Sequence, residues 1–280
     1  MHRCTFVPAD EYLFGFLLLT STLYFQLGSG SGLDVIKYPT CSNTCPLGTR
    51  QIGTTFIMKI ATWNLERPTR NGQKSAAILE YLKKVNADIL VLTETNEFIN
   101  LGSEYELCHT EIFSGSFYKQ GDRQVSIFSK YPIVRHIPTF RSDTSLCLTV
   151  DTPYGELIIY GTIIGNFGNG GDQFKLDLEK QLADFEAIGK AQNFCIIGDL
   201  NISFSDNTYF TKEGREKLRN SFEQLGMKIM TQQITQNIDH IILAKEFIAN
   251  KKIVNGFWND TGNKLTRMSD HKGVFLELFE

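Results

Sequence analysis

The stretch Asn193 to Ser203, N-F-C-I-I-G-D-L-N-I-S, decides how this chain is read. Phe194 to Ile197 is an unbroken apolar run of the kind a strand shows when both its faces are buried, and Gly198 offers a backbone free to turn sharply after it. Asp199 and Asn201 follow two positions apart, so a carboxylate and a carboxamide project to the same side where the strand opens into a loop. Such a pair can meet a metal or a phosphate together. It can equally close the strand as an Asx-rich turn, and the stretch alone leaves both readings open.

Upstream, M-K-I-A-T-W-N from Met58 alternates as a strand and ends in Asn64, Glu66, Arg67 and Arg70 within a loop marked by Pro68 and Gly72. Lys74 to Val85 places Ala77, Ile78, Tyr81 and Leu82 at helical spacing, and Asp88 to Thr93 then predicts a second buried strand. The alternation is a β-α-β unit. Glu94 stands where that second strand ends, as a cap for the next loop or as a metal ligand. Val125 to Phe128 is a further strand turned at S-K-Y-P, and Leu146 to Val150 with Glu156 to Ile164 reads as a hairpin around Thr152 to Gly155. Gly165 to Gly171 lacks the spacing and terminal Lys of a P-loop and reads as a rim. Asp172 to Ala191 and Thr211 to Leu225 are amphipathic helices.

Two more apolar runs carry polar ends, N-I-D-H-I-I-L from Asn237 and M-S-D-H-K-G-V-F-L-E-L from Met268. Asn64, Glu94, Asp199, Asn201, Asp239, Asp270 and His271 all sit at the edge of an apolar run. Seven such residues are a costly way to build loops and a sensible way to build one site at a sheet edge. His240 alternates to the other face and reads as structural, while His2, His109 and His136 have no acidic motif around them.

With 280 residues, 42% apolar and 21% charged, the chain can bury a full core. A net charge of −3 excludes the global basic field of sequence-independent DNA binders, so any contact with nucleic acid must be local. Six cysteines at irregular spacing form neither a CxxC metal site nor a small disulfide scaffold, and Cys108, Cys147 and Cys195 read as buried thiols.

The motif order resembles the endonuclease/exonuclease/phosphatase superfamily. The resemblance runs from Met58 to Glu280 and rests on T-W-N at Thr62, L-T-E-T at Leu92, V-S-I-F-S-K-Y-P-I from Val125, I-I-G-D-L-N at Ile196, I-D-H-I at Ile238 and S-D-H at Ser269. It implies an α/β fold, a four-layer sandwich of two mixed β-sheets flanked by helices, with the site at one end of the sheets. It implies metal-dependent cleavage of phosphoester bonds, most simply an endo- or exonuclease using water. The alternatives are a phosphatase or phosphodiesterase acting on a phospholipid or small phosphate ester, and a catalytically silent binding protein of the same fold.

Carried over by position, the resemblance makes Glu94 the principal ligand of Mg²⁺ or Mn²⁺, with Asn64 and Asp270 near it; these are hard oxygen donors. Asp239 would accept a hydrogen bond from His271, while Asp199 and Asn201 would hold the attacking water or the phosphate. Asn166 matches a family asparagine, and Arg67, Arg70 and Arg123 are expected to form a small basic rim for the substrate. The chain departs from the family at Ile163, where some nucleases have a tyrosine, and at Glu66, where abasic-site nucleases have an aspartate. Nucleic acid is the expected substrate, a monomer the expected state, and no stable membrane association is expected of the domain.

Residues 1–57 differ from the rest. Leu13 to Leu27 is mostly apolar, G-S-G-S-G follows from Gly28, and Cys41 to Thr55 is polar without periodicity. The segment reads as an extension before a domain at 58–280, either disordered or a mis-assigned start. A start at Met58 would make the protein cytoplasmic, and use of the apolar run would make it secreted or membrane-anchored. Because every motif lies after the extension, a chain beginning at Met58 is expected to fold and stay soluble. Loss of soluble protein on that truncation would show that the extension packs on the domain.

Overall fold

The computed structural model describes residues 57–70, 72–112, 118–165, 171–190, 193–206, 212–259 and 268–280. The N-terminal extension up to residue 56 and Asn166 with its rim loop lie outside the described residues. The first apolar run is strand β1 (Ile57–Asn64), followed by helix α1 (Gln73–Val85) and strand β2 (Ile89–Asn96), which pairs parallel to β1. Ile78 and Leu82 bury one face of α1, Lys83 and Lys84 stand in its last turn where the helix dipole favours cations, and left-handed Asn86 caps it by donating its N–H to Leu82 O. The β-α-β unit is therefore as the sequence predicts.

Next come β3 (Glu106–His109), β4 (Asp122–Ser129), β5 (Ile133–Ile137), β6 (Ser145–Thr152) and β7 (Gly155–Ile163). The last two form the expected hairpin, with the Thr152 hydroxyl donating to Gly155 O across the turn. Helix α2 (Gly171–Ile188), β8 (Phe194–Asp199), α3 (Lys212–Gln224), β9 (Met227–Ile229), β10 (Asp239–Ala244), β11 (Lys252–Trp258) and β12 (Gly273–Phe279) complete the described chain. One sheet runs β11-β12-β1-β2-β4-β3 and the other β5-β6-β7-β8-β10-β9. Each is mixed, with one parallel pair, β1 with β2 and β7 with β8, among antiparallel neighbours.

Alternation along the strands explains the layering. Ile60, Val91, Ile127, Ile159, Ile197, Ile241 and Leu276 point between the sheets into one core, while their neighbours point outward. Outside the first sheet Ala61, Trp63, Leu90 and Leu92 pack on Ile78 and Leu82 of α1. Outside the second, Tyr160, Phe194 and Ile196 pack on Phe174, Phe185, Leu218 and Phe222 of α2 and α3. Four layers result, each interior side chain contributing about 1.5–3 kcal/mol by burial. No helix among the described residues is long and apolar enough to cross a membrane.

Several local expectations change. Strand β2 does not stop at Thr93 but continues to Asn96, because Thr95 and Asn96 still pair with Arg123 and Asp122 of β4. Helix α2 ends at Ile188. Gly198 is not a turn: it lies inside β8 with φ of 135°, and a Cβ there would stand 2.2 Å from Thr162 O of the adjacent strand. Glycine is required by close backbone approach as well as by its φ. Cys147 and Cys195 are buried, but Cys108 is only partly so, with Sγ 3.7 Å from His136 Nε2.

The sheets approach closely at Gly161 of β7, where a Cβ would meet Val125 Cγ1 at 3.0 Å, Val91 Cγ1 at 3.1 Å and Ile127 Cδ1 at 3.2 Å. Gly161→Val would place three carbons among these side chains of the opposite sheet and is expected to destabilise the domain by about 1–3 kcal/mol, the usual cost of overpacking. Urea denaturation reads this directly. An unchanged midpoint would show that the sheets can part there without loss.

Candidate active site

The polar ends of β1, β2, β8, β10 and the turn before β12 meet at one end of the sandwich. The register of β10 against β8 places Asp239 directly opposite Asp199, and both are buried. Two carboxylates in paired positions repel. His271 answers them: its Nδ1 lies 2.7 Å from Asp239 Oδ2, and one ring or carboxylate atom from each of Asp199, Asp239 and His271 falls within 4.8 Å of the others.

Asp199 is held from three directions. Asn64 Nδ2 donates to its Oδ2 at 3.0 Å, the Asn201 backbone N–H donates to its Oδ1 at 2.9 Å, and Asn201 Nδ2 reaches Oδ2 at 3.5 Å. Asn201 Nδ2 also donates to Ile164 O at 3.0 Å, tying the loop after β8 to the end of β7. The Asn64 carboxamide oxygen accepts the Glu66 N–H at 2.9 Å. Glu94 receives Arg67, with guanidinium nitrogen and carboxylate oxygen 3.1 Å apart, and Arg67 lies over the Tyr118 ring at 5.0 Å. Glu66, Arg67, Glu94 and Asn201 all have positive φ, between 43° and 55°. Strained residues of this kind persist where their surroundings over-determine them, and here they gather around one point.

Charge follows the geometry. Burial raises the Asp199 carboxyl, the Asp239 and Glu94 carboxylates raise it further, and the His271 imidazolium with the Asn201 N–H opposes them. Burial favours the neutral imidazole at His271, but the Asp239 and Asp199 carboxylates outweigh it and push the ring well above its usual range. Glu94 is raised chiefly by burial, against Arg67 and His271. Each direction expresses one condition, an excess of carboxylate over cation in a poorly solvated place.

That excess is the test of whether a metal suits these residues. Among the described residues, Arg67 and His271 are the cations that act on Glu94, and His271 acts on Asp199 and holds Asp239, whose Oδ1 is buried with no hydrogen-bond partner among the described residues. Oxygen donors of this kind fit a hard divalent cation.

The residues singled out from the sequence fall into groups. Asn64, Glu94, Asp199, Asn201, Asp239 and His271 converge, and Asp270 is exposed with Oδ1 3.8 Å from His271 Nε2. The tight acid–imidazole group is Asp199, Asp239 and His271, while Asn64 bonds to Asp199 and Glu94 to Arg67. Among the three arginines, Arg70 is exposed on a cavity of 550 Å³ lined also by Asn96, Glu97, Phe98 and Lys119. Arg123, opposite Thr95 in the ladder of β2 and β4, is ion-paired with Glu97.

Three residues without an assigned role support the site. Trp63 Nε1 donates to His271 O at 3.1 Å, the Ser269 hydroxyl donates to Asn64 O at 2.7 Å, and Asn259 binds the turn that carries His271. Trp63 and Ser269 lie inside the T-W-N and S-D-H motifs, so adjacency was the available signal. Asn259 carried none.

A profile of the Endonuclease/Exonuclease/phosphatase family matches residues 61–271. Among solved structures, the endonuclease domain of TRAS1, a telomere-specific non-LTR retrotransposon, is 13% identical over 79% of this chain and 98% of its own, with a TM-score of 0.58. An AP endonuclease from Archaeoglobus fulgidus is 14% identical over 78% of this chain and 98% of its own, with a TM-score of 0.57. TDP2 from Caenorhabditis elegans is 13% identical over 80% of this chain and 75% of its own, with a TM-score of 0.54. At these identities the likeness is one of fold. No curated protein matches the chain.

His240 behind the site bears its own test. It is fully buried, its Nε2 donates to Ile202 O at 2.8 Å, and its Nδ1 accepts from the Thr231 hydroxyl at 2.9 Å, so the ring is neutral and burial lowers it to about 4. A neutral folded histidine with a lowered pKa stabilises fully above the unfolded value of about 6.5, and that stability is lost as pH falls from there toward about 4. The slope is about 1.4 kcal/mol per pH unit at most. Stability in urea is therefore expected to fall more steeply between about pH 7 and pH 5 in the native protein than in His240→Gln. Equal slopes would show that the ring is not held neutral.

Proposed function

Because the chain belongs to the Endonuclease/Exonuclease/phosphatase family, we propose that it is a divalent-metal-dependent phosphoester hydrolase, and specifically a nuclease that cleaves phosphodiester bonds with water. The observation that carries this reading is the group of buried Asp199 and Asp239 with half-buried His271 beside Glu94 and Asn64, which unites two carboxylates, an imidazole and an unpartnered buried oxygen at one end of the sheets. Two of the compared structures are endonucleases by name, which sets nucleic acid ahead of phospholipids and small phosphate esters.

Glu94, Asn64 and Asp270 would hold Mg²⁺ or Mn²⁺, which when bound supplies charge neutralisation on the phosphate oxygens. Asp199, raised by burial, is suited to take a proton from the attacking water, and the hydrogen bonds from Asn64 and Asn201 fix its direction. The water oxygen bonds to phosphorus as the bond from phosphorus to the ester oxygen breaks with its electron pair on that oxygen; the water proton rests on the Asp199 carboxylate, and the leaving oxygen takes a proton from solvent water. Asp239 holds Nδ1 of His271, and the Nε2 side of the charged ring, 3.8 Å from Asp270 Oδ1, is turned to donate to a phosphate oxygen as negative charge grows there. Arg70, on the cavity edge, offers a cation to a neighbouring phosphate.

A panel of nicked, abasic and single-stranded DNA, RNA, inositol phosphates and sphingomyelin with Mg²⁺ reads the substrate, and Glu94→Gln provides its control. The variant keeps the shape and loses the charge, so calorimetric Mg²⁺ affinity and turnover should both fall steeply while the fold survives. Turnover equal to that of the native protein would sink the assignment. His271→Ala and Asp239→Asn should each lower kcat by roughly a hundredfold or more, the range of general acid–base groups. Because the two act as a unit, the double variant should be little worse than His271→Ala. Losses that multiply would break the pair apart.

A further inference from the structure

The turn that carries Ser269, Asp270 and His271 belongs to no strand, yet His271 must stay within hydrogen-bond reach of Asp239 on β10. Asn259 meets that requirement. It follows the last residue of β11, an edge strand that bears none of the groups discussed above, and its backbone is left-handed with φ of 59°. Its single amide nitrogen donates to two carbonyls of the turn, Ser269 O at 2.9 Å and His271 O at 2.5 Å, while its oxygen accepts the Met268 N–H at 2.8 Å. Both donor hydrogens and one acceptor site of the carboxamide are thus spent on three of four consecutive residues. The far side of the turn is bound separately, by Trp63 Nε1 to His271 O and by Ser269 Oγ, which accepts the His271 N–H at 3.1 Å.

Trp63 packs edge-on against Trp258, ring centroids 5.8 Å apart, so the strand that delivers Asn259 and the strand that delivers Asn64 are registered through these two indoles. The carbonyl of His271 therefore lies between two fixed donors. With Nδ1 anchored on Asp239 and the backbone anchored on Asn259 and Trp63, the ring has little freedom left.

We propose that Asn259 is a positioning residue for His271, acting through the backbone of the Met268–His271 turn. This rests on the hydrolase reading of the same site, in which a displacement of about 1 Å can cost a hundredfold in rate. Its effect should therefore appear in kcat and not in KM. Glycine tolerates the left-handed backbone, so Asn259→Gly removes the carboxamide without adding strain. Asn259→Ala removes the carboxamide with both donors and adds no charge, at the cost of a Cβ in the left-handed backbone.

The test combines a spectrum with a cycle. Long-range ¹⁵N–¹H spectra of the histidine rings, with His271 assigned by its disappearance in His271→Ala, should show a changed ring-nitrogen pattern for His271 in both Asn259 variants, while the pattern of His240 stays native. With bis(4-nitrophenyl) phosphate and Mg²⁺ as the probe, each variant should lose about ten- to a hundredfold in kcat at unchanged KM. In the His271→Ala background Asn259→Gly should cost nothing further, because its whole effect passes through the missing ring. A native His271 pattern in both variants, or losses that multiply in the cycle, would overturn the proposal, since a merely structural residue gives both. Should the native protein fail to hydrolyse the probe, the hydrolase reading suffers, and the ring spectrum still decides whether Asn259 sets His271. If Asn259→Gly does not fold, Asn259→Ala carries the same comparison.

Discussion

The register of β10 against β8 forces Asp199 and Asp239 face to face in a buried place, and much of this end of the molecule is arranged around that repulsion. Neither strand can slip to relieve it, because a shift by one residue would turn Ile197 and Ile241 out of the core between the sheets. The repulsion is instead met by groups brought from elsewhere: the His271 ring, the Asn64 amide and the Asn201 backbone. Removing one member of such a set leaves a buried charge uncompensated, which is far more damaging than never having had the pair.

The layers beneath make this arrangement possible. Two sheets locked by branched aliphatic side chains hold the ends of β1, β2, β8 and β10 at fixed separations, and Gly161 and Gly198 occupy places where any side chain would push strands or sheets apart. Local strain is then affordable at the rim, where Glu66, Arg67, Glu94 and Asn201 all take left-handed backbones. The Arg67 N–H donates to Glu94 O and the Leu65 N–H to Thr93 O, so the loop after β1 is stitched to β2 at its most strained point.

Which elements could be read from the sequence follows from where they lie in the sheets. The strands foreseen from apolar runs, β1, β2, β4, β6, β7, β8, β10 and β12, are all interior. Those not foreseen, β3, β5, β9 and β11, are the four edges of the two sheets. An edge strand has one neighbour, is short or half-exposed, and so carries neither a continuous apolar run nor a clean alternation; β3 reads E-L-C-H and β11 K-I-V-N-G-F-W. Cys108 sits on such an edge, which is why it is less buried than its run suggested. The end of β2 was misplaced for a related reason, since Thr95 and Asn96 are polar but are held in the ladder by β4.

The sequence by itself determined the interior strands, the three packing helices and the residues that gather at the sheet ends, because burial imposes periodicity and an apolar run that ends in acid, amide or imidazole shows without knowledge of its partners; the fold class came from the order of those motifs, through the family they resemble. Tertiary structure alone decided which of those residues meet. Asn64 and Asp199 are 135 positions apart and Asp239 and His271 are 32 apart, and each pair depends on strand order and register, to which no local pattern refers. The same holds for Arg67 on Glu94, for Gly198 against Thr162 O, and for Asn259, an ordinary polar residue after an edge strand whose importance lies entirely in the backbone it binds. Periodicity records whether a side chain faces core or water, whereas a site requires distances between side chains from different strands, and those exist only once the sheets have closed on each other.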